Sequence, residues 1–172
     1  MVAVANDEMN TGRRRSFGKM EPGDYKEIFQ SAVRGELYDI MVLDVTLSDW
    51  QLFFQYLSAK HKILYEEAGE PKPLPNFDVV FERYAETPVT VKVCFPDFTV
   101  NCFFFDVEVI EMDVLPTDIN SPSRAELIFK LMSDVACLLG KPVIMTPEST
   151  THSPEEVLCF ADPSTGEITK TI

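Results

Sequence analysis

The chain has 172 residues, of which 45% are hydrophobic, and its 28 acidic and 15 basic side chains give a formal charge of -13. This length suits one domain that can bury a core without help from disulfides or a metal. No apolar run approaches the roughly 20 residues of a membrane span, and the excess negative charge disfavours nucleic acids and anionic membranes as partners.

Residues 1–22 are predicted to form a flexible tail, because small and polar residues there are mixed with Arg13, Arg14, Arg15 and Lys19. The segment lacks the apolar core of a signal peptide, so a cytoplasmic location is expected. A single domain would then span residues 23–172.

The first part of this domain alternates between helical and strand patterns. Apolar spacing after Gly23 predicts a helix that ends at Gly35, and the run 37–45 predicts a buried strand. The sequence Ser48-Asp-Trp-Gln51 has the form of a capping box, which predicts the start of a second helix. The core-facing stripe of that helix comprises Trp50, Phe53, Phe54 and Leu57.

The middle of the chain contains one ambiguous segment. A short strand at 61–66 is followed by a proline-rich connector at 70–75, which can join neither a helix nor the interior of a sheet. Residues 76–85 fit either a helix or a strand, and a helix is preferred because their apolar run does not alternate with polar residues. Alternation over residues 89–95 then predicts a strand.

The segment 98–114 changes the phase of its alternation halfway along. Such a slip of one residue is what a β-bulge near Val109 and Ile110 would absorb, so we predict one bulged strand with its apolar side chains on one buried face. Those apolar residues are Phe103, Phe105, Val107, Val109, Ile110, Met112 and Val114. The opposite, exposed face would carry the carboxylates of Asp106, Glu108, Glu111 and Asp113.

The last part of the chain predicts one long helix and three strands. Ser121 and Pro122 are typical of a helix start, and Gly140 is placed to end it. Strands are expected at 142–146, 157–160 and 168–172. This order leaves few places for parallel crossovers, so the predicted fold is α+β, a single domain with a mainly antiparallel β-sheet and helices packed on one face.

The acidic face of segment 98–114 is the main candidate site. Residues two apart on one strand face lie about 6.5–7 Å apart, within the range of paired carboxylates in inverting glycosidases. The row could therefore hold a cation or a general acid and base, although catalysis also needs a pocket that separates the two pKa values. A solvated face or a protein-binding patch is the commoner role of exposed carboxylates. Eleven acidic residues against three basic ones over residues 66–113 would attract a basic partner.

Other residues give little support for catalysis or metal binding. His61 lies between two lysines, which suggests an exposed position, and His152 lies in a polar loop; neither has a catalytic motif around it. Cys94 and Cys102 are interpreted as small apolar side chains in or near the core. Because the cysteines form no C-x-x-C pair and no glycine-rich phosphate loop is present, neither a metal nor a cofactor is predicted.

Several short segments of this chain resemble segments of a group of small uncharacterised bacterial proteins. In their general features, these proteins are also similar to cytoplasmic immunity proteins of bacterial toxin systems. The resemblance would cover residues 23–172, and it implies a stoichiometric binder without catalytic residues. The segments are Ser48-Asp-Trp-Gln51, Asn101-Cys-Phe-Phe-Phe105 with Val109-Ile-Glu-Met-Asp113, and Leu139-Gly-Lys-Pro-Val-Ile-Met-Thr-Pro-Glu148 followed by Phe160-Ala-Asp-Pro163.

We therefore expect a non-enzymatic, cytoplasmic protein-binding module, with an immunity-type inhibitor of a basic toxin as its leading form. The alternative is a small-ligand-binding protein or a hydrolase that uses the acidic strand face. Neither nucleic acid nor a membrane is expected as a partner, and self-association is left open.

Overall fold

The computed structural model describes residues 17–21, 23–30, 32, 34–148 and 156–171. The helices in these residues are α1 (Tyr25–Phe29), α2 (Leu47–Lys60), α3 (Phe77–Tyr84) and α4 (Pro122–Leu139), with a 3₁₀ turn at Pro116–Asp118. The strands are β1 (Phe17–Lys19), β2 (Tyr38–Val42), β3 (Lys62–Glu67), β4 (Glu70–Lys72), β5 (Val89–Cys94), β6 (Thr99–Asp106), β7 (Val109–Val114), β8 (Val143–Pro147), β9 (Cys159–Ala161) and β10 (Ile168–Thr171).

The ten strands of the described residues join one sheet in the order β1-β10-β9-β8-β2-β7-β6-β5-β3-β4. Every neighbouring pair is antiparallel. The predicted α+β class is therefore confirmed. None of the helices in this part of the chain is both long and apolar enough to cross a membrane.

One face of the sheet carries the core and all four helices. Ile40, Met112, Cys102 and Val91 are successive partners across β2, β7, β6 and β5, and each is fully buried. Burying an aliphatic side chain of this size stabilises the fold by about 1.5–3 kcal/mol. The helices pack over this face through the apolar stripe predicted for α2, through Phe29 of α1, Val80 of α3, and Ile128 and Leu131 of α4.

Helix α2 begins earlier than the predicted capping box. Thr46 is the N-cap, and its Oγ1 accepts the Asp49 backbone N–H over 3.2 Å. The Asp49 carboxylate in turn accepts the Thr46 backbone N–H over 2.8 Å. The prediction of Ser48 as the cap is therefore wrong, because Thr46 and Asp49 form the same reciprocal arrangement two residues earlier. Both predicted ends of α4 are confirmed: Ser121 caps it, and Gly140 ends it with a φ of 64°.

The segment predicted as one bulged strand is a hairpin. Strands β6 and β7 pair with each other, and Asp106 lies opposite Val109 across a turn formed by residues 107–108. The pairing register also shifts by one residue at a β-bulge, so that two residues of β6, Phe104 and Phe105, lie opposite the single residue Ile110 of β7. The change of phase in the sequence therefore marks a reversal of the chain together with a bulge.

Three further predictions concern residues 76–85, the proline-rich connector and the N-terminal tail. The ambiguous segment 76–85 forms α3, the preferred alternative, and the proline-rich connector contributes β4 at one edge. At the other edge, Gly18 pairs with Lys170, so residues 17–19 belong to the sheet rather than to the predicted tail of residues 1–22. Residues 1–16 and Pro22 lie outside the described residues.

Candidate functional site

The four carboxylates predicted to form one exposed row lie in different environments. Asp106 ends β6, Glu108 lies in the β6–β7 turn, and both are exposed. Glu111 is half-buried on β7, whereas Asp113 is only 7% exposed. The predicted geometry of a single exposed row is therefore wrong, because Asp106 and Glu108 lie at the exposed end of the hairpin whereas Asp113 is buried on β7, between β2 and β6.

The acidic turn, residues 106–108, is held in place by three hydrogen bonds. Asp106 accepts the backbone N–H of Glu108 at its own Oδ1 over 2.8 Å, which closes the turn locally. The carbonyl of Glu108 accepts the N–H of Val45 over 2.9 Å, and the carbonyl of Val107 accepts the indole N–H of Trp50 over 3.0 Å. The turn is thus attached to the start of α2.

Next to the acidic turn lies an aromatic cluster in which Trp50 and Phe104 are buried and Phe81 is half-buried. The ring of Trp50 stacks on Phe104 of β6, with centroids 5.2 Å apart, and meets the edge of Phe81 of α3 at 5.1 Å. Phe81 also contacts Phe104 at 5.5 Å. Such edge-to-face and offset pairs add to the gain from burying area, so these contacts help to hold α2, α3 and β6 together.

Because Phe104 faces this cluster, its two neighbours in β6 point away from the core. The rings of Phe103 and Phe105 stack at 5.1 Å with an angle of 9° between their planes, and Tyr84 at the end of α3 contacts Phe105 at 5.7 Å. We call these three residues the aromatic shelf. They line a groove of about 570 Å³, together with the loop from α3 to β5.

The prediction that Phe103 and Phe105 are buried is wrong: Phe103 is half-buried and Phe105 is 56% exposed. Sequence reasoning therefore missed the aromatic shelf. One signal was present, since three consecutive Phe residues in a strand cannot all face the same side. Ile110 and Met112 are buried as predicted.

Asp113 belongs to a polar group on the face of the sheet opposite the helices. Its carboxylate accepts a hydrogen bond from the Asn101 amide over 2.7 Å, and Asp39 and Thr146 follow as successive cross-strand partners. Burial raises the pKa of Asp113, the Asn101 hydrogen bond opposes this shift, and the charge of Glu148 adds to it. A buried carboxylate of this kind is poorly placed to meet a large partner.

His61 differs from its predicted exposed position. It is half-buried, its Nε2 lies 3.2 Å from the Tyr56 hydroxyl, and its ring contacts Phe95 at 5.4 Å. Desolvation lowers the pKa of His61, the charge of Asp134 opposes this, and Lys130 adds to the lowering. Since Tyr56 donates to Asp134 over 2.9 Å, this group links α2 to α4. His152 lies outside the described residues.

The cysteines follow the sequence interpretation in part. Cys102 is buried, whereas Cys94 is half-buried. Burial also raises the pKa of the Cys159 thiol to about 12. Within the described part of the chain, no group of three or more His, Cys, Asp or Glu side chains is arranged to hold a metal ion.

Comparisons of this chain with family models, with curated proteins and with solved structures find no match. A functional proposal for this chain therefore depends on the chemistry of its own surface.

Proposed function

We propose that this protein is a cytoplasmic, non-enzymatic binding module, and that it acts as an immunity-type inhibitor of a basic toxin. The partner docks where β6 and β7 meet, on the acidic turn and the aromatic shelf beside it. Asp106 and Glu108 are the carboxylates that face the partner, Glu111 lies at the border of the site, and Asp113 is buried on β7 beside Asn101, out of the partner's reach.

The observation that carries this proposal is the exposure of large apolar side chains next to exposed carboxylates. Phe105 is 56% exposed and Val107 is 47% exposed, and Asp106 lies between them in the sequence. The centre of a protein interface typically presents aromatic anchors, and its rim is polar. An apolar centre with an acidic rim suits a partner with an apolar patch bordered by basic side chains.

The charge of the surrounding chain supports the same partner class. Eleven acidic residues against three basic ones occupy residues 66–113, which include the β6–β7 hairpin except for Val114. A surface of one sign raises the association rate with an oppositely charged protein by about ten-fold or more at low salt. Salt weakens this steering because the Debye length falls as ionic strength rises.

The attachment of the acidic turn to α2 also favours binding. A surface that is ordered before the encounter loses little conformational entropy when the partner arrives. Trp50 and Val45 supply this order through their hydrogen bonds to the two carbonyls of the turn.

The alternative of a hydrolase or small-ligand protein gains less support. It requires carboxylates that share one accessible face at strand spacing. Asp106 and Glu108 lie instead at a chain reversal, and Asp113 is buried beside Asn101. Glu111 and Asp113 keep the strand spacing on β7, but Asp113 is only 7% exposed, so they do not form a pair of accessible carboxylates.

The test is a double variant that removes the charges of the acidic turn and retains its shape, Asp106→Asn with Glu108→Gln. A partner is recovered by pull-down from the native host, and its association kinetics are measured at several ionic strengths. We expect slower association with the double variant and a flatter dependence on salt. We expect little change in dissociation, because charges on the rim act mainly on the encounter.

The matched control is Glu70→Gln with Glu126→Gln, which removes the same charge from two exposed positions on β4 and α4. This control should leave association close to that of the unmodified protein. Equal slowing by the two double variants would mean that only net charge matters. An unchanged rate with the acidic-turn variant, or failure to recover a protein partner, would count against the proposal.

A further inference from the structure

The groove beside the aromatic shelf combines two kinds of chemistry. Its floor presents the stacked pair of Phe103 and Phe105, with Tyr84 set against Phe105 at an angle of 74°. The remainder of its lining, residues 85–90, includes the exposed side chain of Glu86. The floor is therefore aromatic, and at least one carboxylate lies on the wall.

Two further carboxylates neighbour the aromatic shelf in the β6–β7 hairpin. Glu111 is the cross-strand partner of Phe103, and Asp106 follows Phe105 in β6. Arg83 lies close to the groove: its Nη1 is 3.6 Å from Glu86 Oε2, and its Nε is 3.9 Å from Glu67 Oε1. Both distances are long for ion pairs, so Arg83 leaves most of the hydrogen-bonding capacity of Glu86 available.

Aromatic rings beside a carboxylate favour one kind of cationic group over another as the ligand of this groove. A guanidinium group is planar, stacks on aromatic faces and forms paired hydrogen bonds with a carboxylate. An ammonium group is compact, strongly hydrated and unable to stack. An aromatic ring face with a carboxylate nearby therefore distinguishes arginine from lysine, whereas a purely electrostatic surface would not.

We propose that the groove lined by Phe103, Phe105 and Glu86 binds an arginine side chain of the basic partner, in preference to lysine. This inference rests on the proposed function, because it names the side chain through which the partner is recognised. The guanidinium plane lies on the face of Phe105 that Phe103 does not cover, and its N–H groups meet the Glu86 carboxylate.

Two peptides of equal charge test the proposal, acetyl-hexa-arginine amide and acetyl-hexa-lysine amide. Binding to the whole chain is followed by titration with observation of the backbone amide signals of residues 103–105. We expect the arginine peptide to bind about five-fold more tightly than the lysine peptide.

Two substitutions of the exposed residue Phe105 test whether its ring is the source of the preference for arginine. Phe105→Leu retains an apolar side chain but removes the π face, and should reduce arginine binding to the level of lysine. Phe105→Tyr retains the ring and should preserve the preference. Since Phe105 is 56% exposed, both variants should unfold at nearly the same denaturant concentration as the unmodified protein.

The outcomes separate this inference from the proposed function. Equal affinity for the two peptides, with both weakened by the acidic-turn double variant, would refute arginine recognition and leave a basic partner supported. A preference for arginine that survives Phe105→Leu would also refute it, because the groove would not be its source. Absence of binding by either peptide would overturn the inference and weaken the proposed function with it.

Discussion

The indole nitrogen of Trp50 donates a hydrogen bond to the carbonyl oxygen of Val107 over 3.0 Å. Trp50 is fully buried in α2, whereas Val107 is 47% exposed at the tip of the β6–β7 hairpin. One contact therefore connects the centre of the core to the surface at which we place the partner. The position of the acidic turn depends on a residue that no partner can reach.

Replacing Trp50 with Phe tests this dependence. The substitution removes the donor, leaves the Val107 carbonyl without its protein partner, and opens a space beside Phe104 and Phe81. We expect the free energy of unfolding to fall by about 2–4 kcal/mol, measured by denaturant titration. Leu52→Ala, at a 44% exposed position of the same helix, should cost less than about 1 kcal/mol. Equal losses would contradict the role assigned to Trp50.

A second prediction concerns the start of α2. Thr46→Ala removes the side chain that accepts the Asp49 N–H, and should destabilise the protein by about 0.5–2 kcal/mol. Ser48→Ala alters an exposed residue inside the first turn of the helix and should change stability by less than about 0.5 kcal/mol. Thermal or denaturant unfolding of the two variants compares them directly. A larger loss with Ser48→Ala would restore Ser48 as the cap.

The helices were predictable because their signals are local. The stripe of α2 repeats at helical spacing, and Ser121, Pro122 and Gly140 mark the ends of α4 through backbone requirements of their own. The cap of α2 was misplaced by two residues because two overlapping segments fit the capping pattern. The reciprocal hydrogen bonds of Thr46 and Asp49, together with the extended backbone of Thr46 at φ -111° and ψ 168°, distinguish them.

The candidate site was harder to predict, because its geometry depends on tertiary contacts. The turn at residues 107–108 contains neither Gly nor Asn, so the usual hairpin signal is absent. Hydrogen bonds from Trp50 and Val45 stabilise it instead. Similarly, three consecutive Phe residues fit either phase of a strand, and the aromatic cluster around Trp50 selects Phe104 as the buried one. Alternation alone could not identify that choice.

A third prediction distinguishes two properties of Asp106, its negative charge and the hydrogen bond by which it closes the turn. Its Oδ1 accepts the Glu108 N–H, and the side-chain oxygen of an asparagine can do the same. Asp106→Asn should therefore retain the turn, whereas Asp106→Ala should lower the free energy of unfolding by about 0.5–1.5 kcal/mol. Hydrogen exchange at the Glu108 amide should be faster in the alanine variant alone. Faster exchange in both variants would show that the charge itself holds the turn.

The last prediction concerns Asp113 and pH. Burial raises its pKa in the folded protein above the value of about 3.9 expected for an unfolded chain. The folded state therefore binds this proton more tightly than the unfolded state does. The resulting stabilisation is fully present below the unfolded pKa, and it is lost as pH rises through the folded pKa.

Asp113→Asn removes this titration while retaining an oxygen that can accept the Asn101 hydrogen bond. It also removes a like charge opposite Asp39, its cross-strand partner. We expect the stability of the variant, relative to the unmodified protein, to increase as pH rises from about 3 to 7, because only the unmodified protein must then bury a charge. Denaturant unfolding at four pH values measures this difference, and Glu126→Gln, at an exposed position of α4, should show no such trend. If the difference instead falls as pH rises, the Asn101 hydrogen bond stabilises the ionised carboxylate by more than burial penalises it.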